Sequence, residues 1–250
     1  MKRGILIINR GSRETGAPRE LKIITEKVRI KGGYDYADFC FLEVLPPFIS
    51  DAMKKCPLND LDTLTIVPYF LYPGRKIKVT VTNVMKYQKY TKTKFLVTKQ
   101  MSMHPTMVKL VDNRIVDALK RNNYDIDRDK TDVLIVAHGS SDINAQRSIN
   151  YVVEQLKDSY RNVNRCYLEI EQPDIPAGVE ISAANNPSIL VVVFYFLHEG
   201  AHVKRDVNAF LQPALEKFNL KNACITRHIG VDDAMIDLIL ERASEVEHAD

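Results

Sequence analysis

The sequence predicts an α/β protein of two tandem flavodoxin-like domains, each with a mainly four-stranded parallel sheet and helices on both faces. Three observations lead there. The first is internal repetition at about domain length. Residues 5–12 match 133–140, 40–43 match 166–169, 69–76 match 195–202 and 97–100 match 225–228, in one order and at nearly one offset. The second is a set of short, continuous β-branched runs, which suit strands covered on both faces rather than one. The third is the longer amphipathic stretches between those runs, and strand–helix alternation implies a parallel sheet with right-handed crossovers.

The elements follow in order. Apolar runs at 4–9, 36–44 and 62–71 are read as the first three strands of the first half. Their counterparts are 131–137, 163–170 and 188–198, and a fourth βα unit closes each half. The stretch 141–159 sets Ile149, Val152, Val153 and Leu156 at helical spacing with charges on the opposite face. Polar residues 121–130 read as the connection, which divides the chain into domains 1–125 and 126–250.

Composition narrows the function. With 250 residues and 45% apolar positions free of biased tracts, the chain buries a sizeable core and is not disordered. Its longest apolar run, Ile189–Leu197, is strand length and short of a membrane span. No signal peptide is read at Met1-Lys-Arg-Gly, and Cys40, Cys56, Cys166 and Cys224 form no C-x-x-C pair, which suits a reducing cytoplasm. Neither a G-x-G-x-x-G nor a Walker loop occurs, so the usual nucleotide cradles are absent. Residues 1–125 carry 23 Lys and Arg against 12 Asp and Glu, a net +11, whereas residues 126–250 carry 12 against 20, a net −8. A basic half of that size suggests an anionic partner, and the absence of any nucleic-acid reading motif turns the expectation away from DNA and RNA.

The candidate chemistry collects in the second half. His138 follows the first strand, Glu169 lies near the end of the second and His202 follows the third. In a doubly wound sheet these positions share the carboxyl end, where ligands bind. Two imidazoles and a carboxylate suit a borderline divalent metal and can move protons near neutral pH. His198, four residues before His202, is read as an auxiliary ligand, while His104, His228 and His248 read as capped or solvated polar residues. In the first half Arg10 stands in place of His138 and Lys76 in place of His202, with Glu43 retained. Arg10, Lys76 and nearby Arg13 and Arg75 are poor metal ligands but would form a basic wall for carboxylates.

At these residues the sequence resembles a known family. The turn Ala137-His138-Gly139-Ser140 and the run Phe196–Val207 are similar to the class II chelatases of the CbiX and SirB type. The resemblance spans the chain, because longer members are tandem duplications of one domain. It implies two similar α/β domains facing a cleft, and ATP-independent insertion of Co²⁺ or Fe²⁺ into sirohydrochlorin, for cobalamin or sirohaem. The two histidines and assisting glutamate of the family fall on His138, His202 and Glu169, with Ser140 beside the substrate. Domain 1–125 is then the degenerate copy, inverted with respect to many two-domain members. The expectation is a monomeric cytoplasmic chelatase, cobalt ahead of iron, with no tightly bound cofactor and the metal ion as substrate. The alternatives are a sirohydrochlorin ferrochelatase or a non-catalytic tetrapyrrole or metal carrier.

Overall fold

Arg3–Asn9 (β1) is an unbroken apolar run, and every residue of it after Arg3 is buried. It forms the centre of the first sheet in the computed structural model, which describes residues 1–12, 16–198 and 207–248, with only the backbone of Val207 and Asn208. The chain then alternates: α1 (Gly16–Gly32), β2 (Tyr36–Phe41), α2 (Ile49–Lys55), β3 (Thr63–Pro68), α3 (Arg75–Met85) and β4 (Lys94–Val97). The order repeats after α4 (Pro105–Arg121), with β5 (Thr131–Ala137), α5 (Ile143–Lys157), β6 (Asn162–Tyr167), α6 (Ile175–Ala184) and β7 (Ile189–Phe194). A short π-helix at Val207–Leu211 leads into α7 (Gln212–Lys217), β8 (Ala223–Ile225) and α8 (Asp233–Glu247).

Among the described residues each sheet has four parallel strands, in the orders β2-β1-β3-β4 and β6-β5-β7-β8. The first and third strands of each half are therefore neighbours at the point where the winding reverses, as the flavodoxin-like expectation requires. Both central strands are covered on both faces. Leu6 and Ile8 join Ile49, Ala52, Met53 and Val84 in one apolar cluster, while Ile5 and Ile7 are fully buried on the other side. Leu134 and Val136 likewise join Ile175, Val179, Leu211 and Leu215.

The apolar runs overshoot their strands. Tyr69, Phe70 and Leu71 are buried beyond the end of strand β3, with the Tyr69 N–H still donating to Ile8 O at 2.8 Å, so the apolar signal runs past the assigned strand.

The two compact units do not follow the division at 125/126. One comprises Met1–Ser102 with Val231–Asp250, and the other comprises Met103–Gly230. Helix α4 lays Met107, Leu110, Val111 and Ile115 against β7, β8 and α5 of the second unit. His104 caps that helix, its Nδ1 accepting the Thr106 N–H at 3.2 Å. Asp112 on α4 accepts from the Arg128 guanidinium at 2.7 and 2.8 Å and from the Tyr160 hydroxyl at 2.5 Å. Helix α8 returns to the first unit and packs on α1, β3 and β4. Its Glu247 side chain, 3% exposed, accepts from Arg3 at 2.7 Å, Tyr34 at 2.9 Å and Thr65 at 2.5 Å. Tyr34 and Tyr160 hold the same place in the repeat, so each unit fastens its borrowed helix through an acid–tyrosine contact.

This exchange corrects the charge argument. Counted by unit, the first carries 20 basic and 16 acidic residues and the second 15 and 16, so +11 and −8 shrink to +4 and −1. Much of the basic surplus meets the acidic face of α8, through Lys27–Asp233, Lys31–Asp237 and Lys99–Glu245. Part of it is therefore met within the protein.

Candidate active site

Each half delivers its chemical residues by the same backbone device. Beyond β1 the ladder continues, with Leu42 N–H donating to Asn9 O at 2.8 Å and Glu43 N–H to Arg10 O at 3.1 Å. In the second unit Leu168 N–H reaches Ala137 O at 3.0 Å and Glu169 N–H reaches His138 O at 3.1 Å. Residues 10 and 43, and residues 138 and 169, are thereby held opposite one another at the carboxyl ends of adjacent strands. The glycine that follows each makes this approach possible. Gly11 (φ 98°) and Gly139 (φ 91°) occupy left-handed backbone, and a Cβ there would lie 2.3 Å from Glu43 O and 1.9 Å from Glu169 O. After each glutamate, Val44 and Ile170 turn the chain at φ 80° and 71°, and cis Pro46–Pro47 and Gln172–Pro173 follow.

The side chains meet accordingly. His138 Nδ1 stands 3.2 Å from Glu169 Oε1, both partly open to solvent at 38% and 59% exposure. A carboxylate on Nδ1–H fixes the tautomer that presents a lone pair on Nε2, the form that ligates metals and accepts protons. In the first unit Glu43 gathers both cations, Arg10 Nε at 2.8 Å and Lys76 Nζ at 2.7 Å to each carboxylate oxygen. The Lys76 ammonium first, and the Arg10 guanidinium after it, hold the Glu43 carboxyl below its usual range against the opposing effect of partial burial. Arg10 and Lys76 thus engage an internal carboxylate. Arg75 opens α3 and is exposed.

The other expected residues fall as follows. The Ser140 hydroxyl accepts the Asp142 N–H at 3.1 Å, just before α5, so it shapes the turn. His198 is half-buried after β7. His202 and Arg13 lie outside the described residues. Among the described residues, no group of three His, Cys, Asp or Glu side chains could hold a metal ion by itself. All four cysteines are free and buried, and burial raises the thiol pKa of each. Among the described residues no helix is long and apolar enough to cross a membrane.

Glu171 is the residue that reading for histidines passed over. Its Oε1 accepts the Ser140 N–H at 2.7 Å, tying the histidine turn to the loop that carries Glu169. Setting Glu171 against its repeat counterpart Leu45 is the signal that would have found it.

A tandem pair of doubly wound domains, each with its polar residues gathered where the first two strands end, defines the architectural class of the CbiX-type chelatases. The chain belongs to the CbiX family, whose model matches residues 4–118 and again 132–246, one match for each repeat. It is 26% identical over 246 residues to the sirohydrochlorin ferrochelatase of Priestia megaterium, covering 94% of this chain and 87% of that one. Against the sirohydrochlorin cobaltochelatase of the same organism the identity is 23%, over 97% and 79% of the two chains. The fold is shared with SirB from Bacillus subtilis, solved with Fe³⁺, at a TM-score of 0.81 and 20% identity over 98% of this chain and 95% of that one.

Proposed function

We propose that the protein is a sirohydrochlorin chelatase that inserts a divalent cation, Co²⁺ ahead of Fe²⁺, without ATP. The observation that carries the reading is the His138–Glu169 pair at the carboxyl end of the second sheet. His202 is assigned as the partner imidazole through the repeat. Its counterpart Lys76 reaches Glu43, the counterpart of Glu169.

The chemistry follows from the residue types. Insertion strips water from the ion and removes two pyrrole protons from the macrocycle. Neutral imidazoles hold a divalent ion while leaving positions open for exchange, whereas a closed four-ligand cage would retain it. Glu169, on Nδ1 of His138, holds the ring with Nε2 free to meet the cation, and the carboxylate or an imidazole can take up a proton as a pyrrole nitrogen binds the metal. Cobalt stands ahead of iron on ligand chemistry alone, and His198 is assigned as an auxiliary ligand. Arg13 and Arg75 are assigned to the substrate carboxylates, and Arg10 and Lys76 serve them only as far as Glu43 releases them. The four reduced cysteines support a cytoplasmic setting.

The test is anaerobic: purified protein, sirohydrochlorin and either Co²⁺ or Fe²⁺, followed by the absorbance change on insertion. The expected result is a rate well above the protein-free rate, faster with Co²⁺, and reduced at least 100-fold in His138→Ala. Binding of both ligands with no acceleration would instead identify a carrier.

A further inference from the structure

The two repeats differ most informatively behind the His138 turn. Glu171 Oε1 accepts the Ser140 N–H at 2.7 Å, two residues beyond the imidazole. The Tyr167 hydroxyl also feels the Glu171 carboxylate, and it accepts from Arg165 Nε at 2.9 Å. Tyr167 is buried on the strand that precedes Glu169, and Arg165 and Glu171 are half-buried beside it. Two polar contacts, Arg165–Tyr167 and Glu171–Ser140 N–H, therefore lie side by side behind the histidine turn.

The first repeat has the same backbone with none of this chemistry. Phe39, Phe41 and Leu45 stand where Arg165, Tyr167 and Glu171 stand, and the register Ile8 opposite Cys40 and Val136 opposite Cys166 confirms the equivalence. Phe39 and Phe41 pack edge to face at 5.8 Å, and Leu45 lies by Gly11. Where the strand ends in Arg10, an apolar filling suffices; where it ends in His138, a charged acceptor fastens the turn. A fold-stabilising role alone does not account for the difference, because both turns share the same glycine and the same continued ladder.

We infer that Glu171 is a positioning residue for the reaction, holding the 137–140 turn so that His138 stays against Glu169, with Tyr167 and Arg165 fixing Glu171 in turn. This rests on the chelatase reading for its kinetic consequence but not for its structural one. Loss of a hydrogen-bonding partner behind a ligating histidine costs about 10–100-fold in metal affinity or activity.

Glu171→Leu installs the first repeat's residue, and Glu171→Gln keeps a carbonyl oxygen for the Ser140 N–H. Three readouts are taken: amide exchange at Ser140, affinity for Co²⁺ alone, and kcat and KM for sirohydrochlorin. Expected for Glu171→Leu are Ser140 exchange at least about 10-fold faster, Co²⁺ binding and kcat down about 10–100-fold and KM within about twofold, with Glu171→Gln recovering most of each. Should Glu171→Leu lose protection throughout the second unit, Tyr167→Phe takes its place, with the same pattern at about 3–10-fold. Unchanged Ser140 exchange, or faster exchange with unchanged Co²⁺ affinity, would overturn the inference. A wild-type protein that never accelerates insertion would sink the chelatase reading alone, since exchange and Co²⁺ affinity still decide the role of Glu171.

Discussion

Replacing Gly139 by alanine tests how the site is assembled. The new Cβ would lie 1.9 Å from Glu169 O, so the loops must part by about 1–1.5 Å to reach ordinary contact. Parting them breaks the bonds from Leu168 to Ala137 O and from Glu169 to His138 O, worth about 1 kcal/mol each. Holding alanine at φ 91° adds about 1–2 kcal/mol. The stiffer unfolded chain returns roughly 0.4–1 kcal/mol, leaving a net loss of about 2–3.5 kcal/mol. At a urea slope near 2 kcal/mol/M, the unfolding midpoint of the second unit falls by about 1–1.8 M. Gly33→Ala is the control: its φ is 63° and a Cβ there would lie 3.9 Å from an Arg3 nitrogen, so no steric clash arises and only the same backbone cost of about 1–2 kcal/mol and unfolded-chain return of roughly 0.4–1 kcal/mol apply. The assay pairs urea unfolding with Co²⁺ binding. Equal midpoint shifts for the two variants, with Co²⁺ binding intact in Gly139→Ala, would refute the claim that close backbone approach builds the His138–Glu169 pair.

Other consequences follow from the same geometry. Glu247→Ala strands Arg3, Tyr34 and Thr65, and because Arg3 is 27% exposed the loss in urea unfolding should lie at the lower end of the roughly 3–5 kcal/mol for breaking a buried pair. Glu43, held low by Lys76 and Arg10, contributes stability that is present above its unfolded value near 4.5 and is lost as pH falls through its lower folded value. Carboxyl NMR titration should therefore give Glu43 a midpoint below 4.5, and Lys76→Met should move it upward; an unmoved midpoint would contradict the pairing.

Much of this was legible beforehand, for identifiable reasons. Parallel strands buried on both faces must be continuously apolar, so 4–9 and 131–137 announced the sheet centres. Duplication announced the equivalence of His138 with Arg10 and of Glu169 with Glu43, which the continued ladders place in matching positions. What stayed hidden is long-range. The periodicity of α4 and α8 shows that each has an apolar face but not which sheet that face covers, so the exchange of helices escaped, and with it the neutralising of the basic first half. Glu171 escaped because a carboxylate accepting one backbone N–H has no spacing signature; only its replacement by Leu45 marks it.

Which side chains touch the cation decides whether His138 and His202 form one site. X-ray absorption of the Co²⁺-loaded protein counts imidazole ligands directly. The expectation is at least two in the wild type, one fewer in His138→Ala, one fewer in His202→Ala, and no bound ion when both are replaced. A spectrum that either single replacement leaves unchanged would contradict the convergence of residues 138 and 202 on one ion.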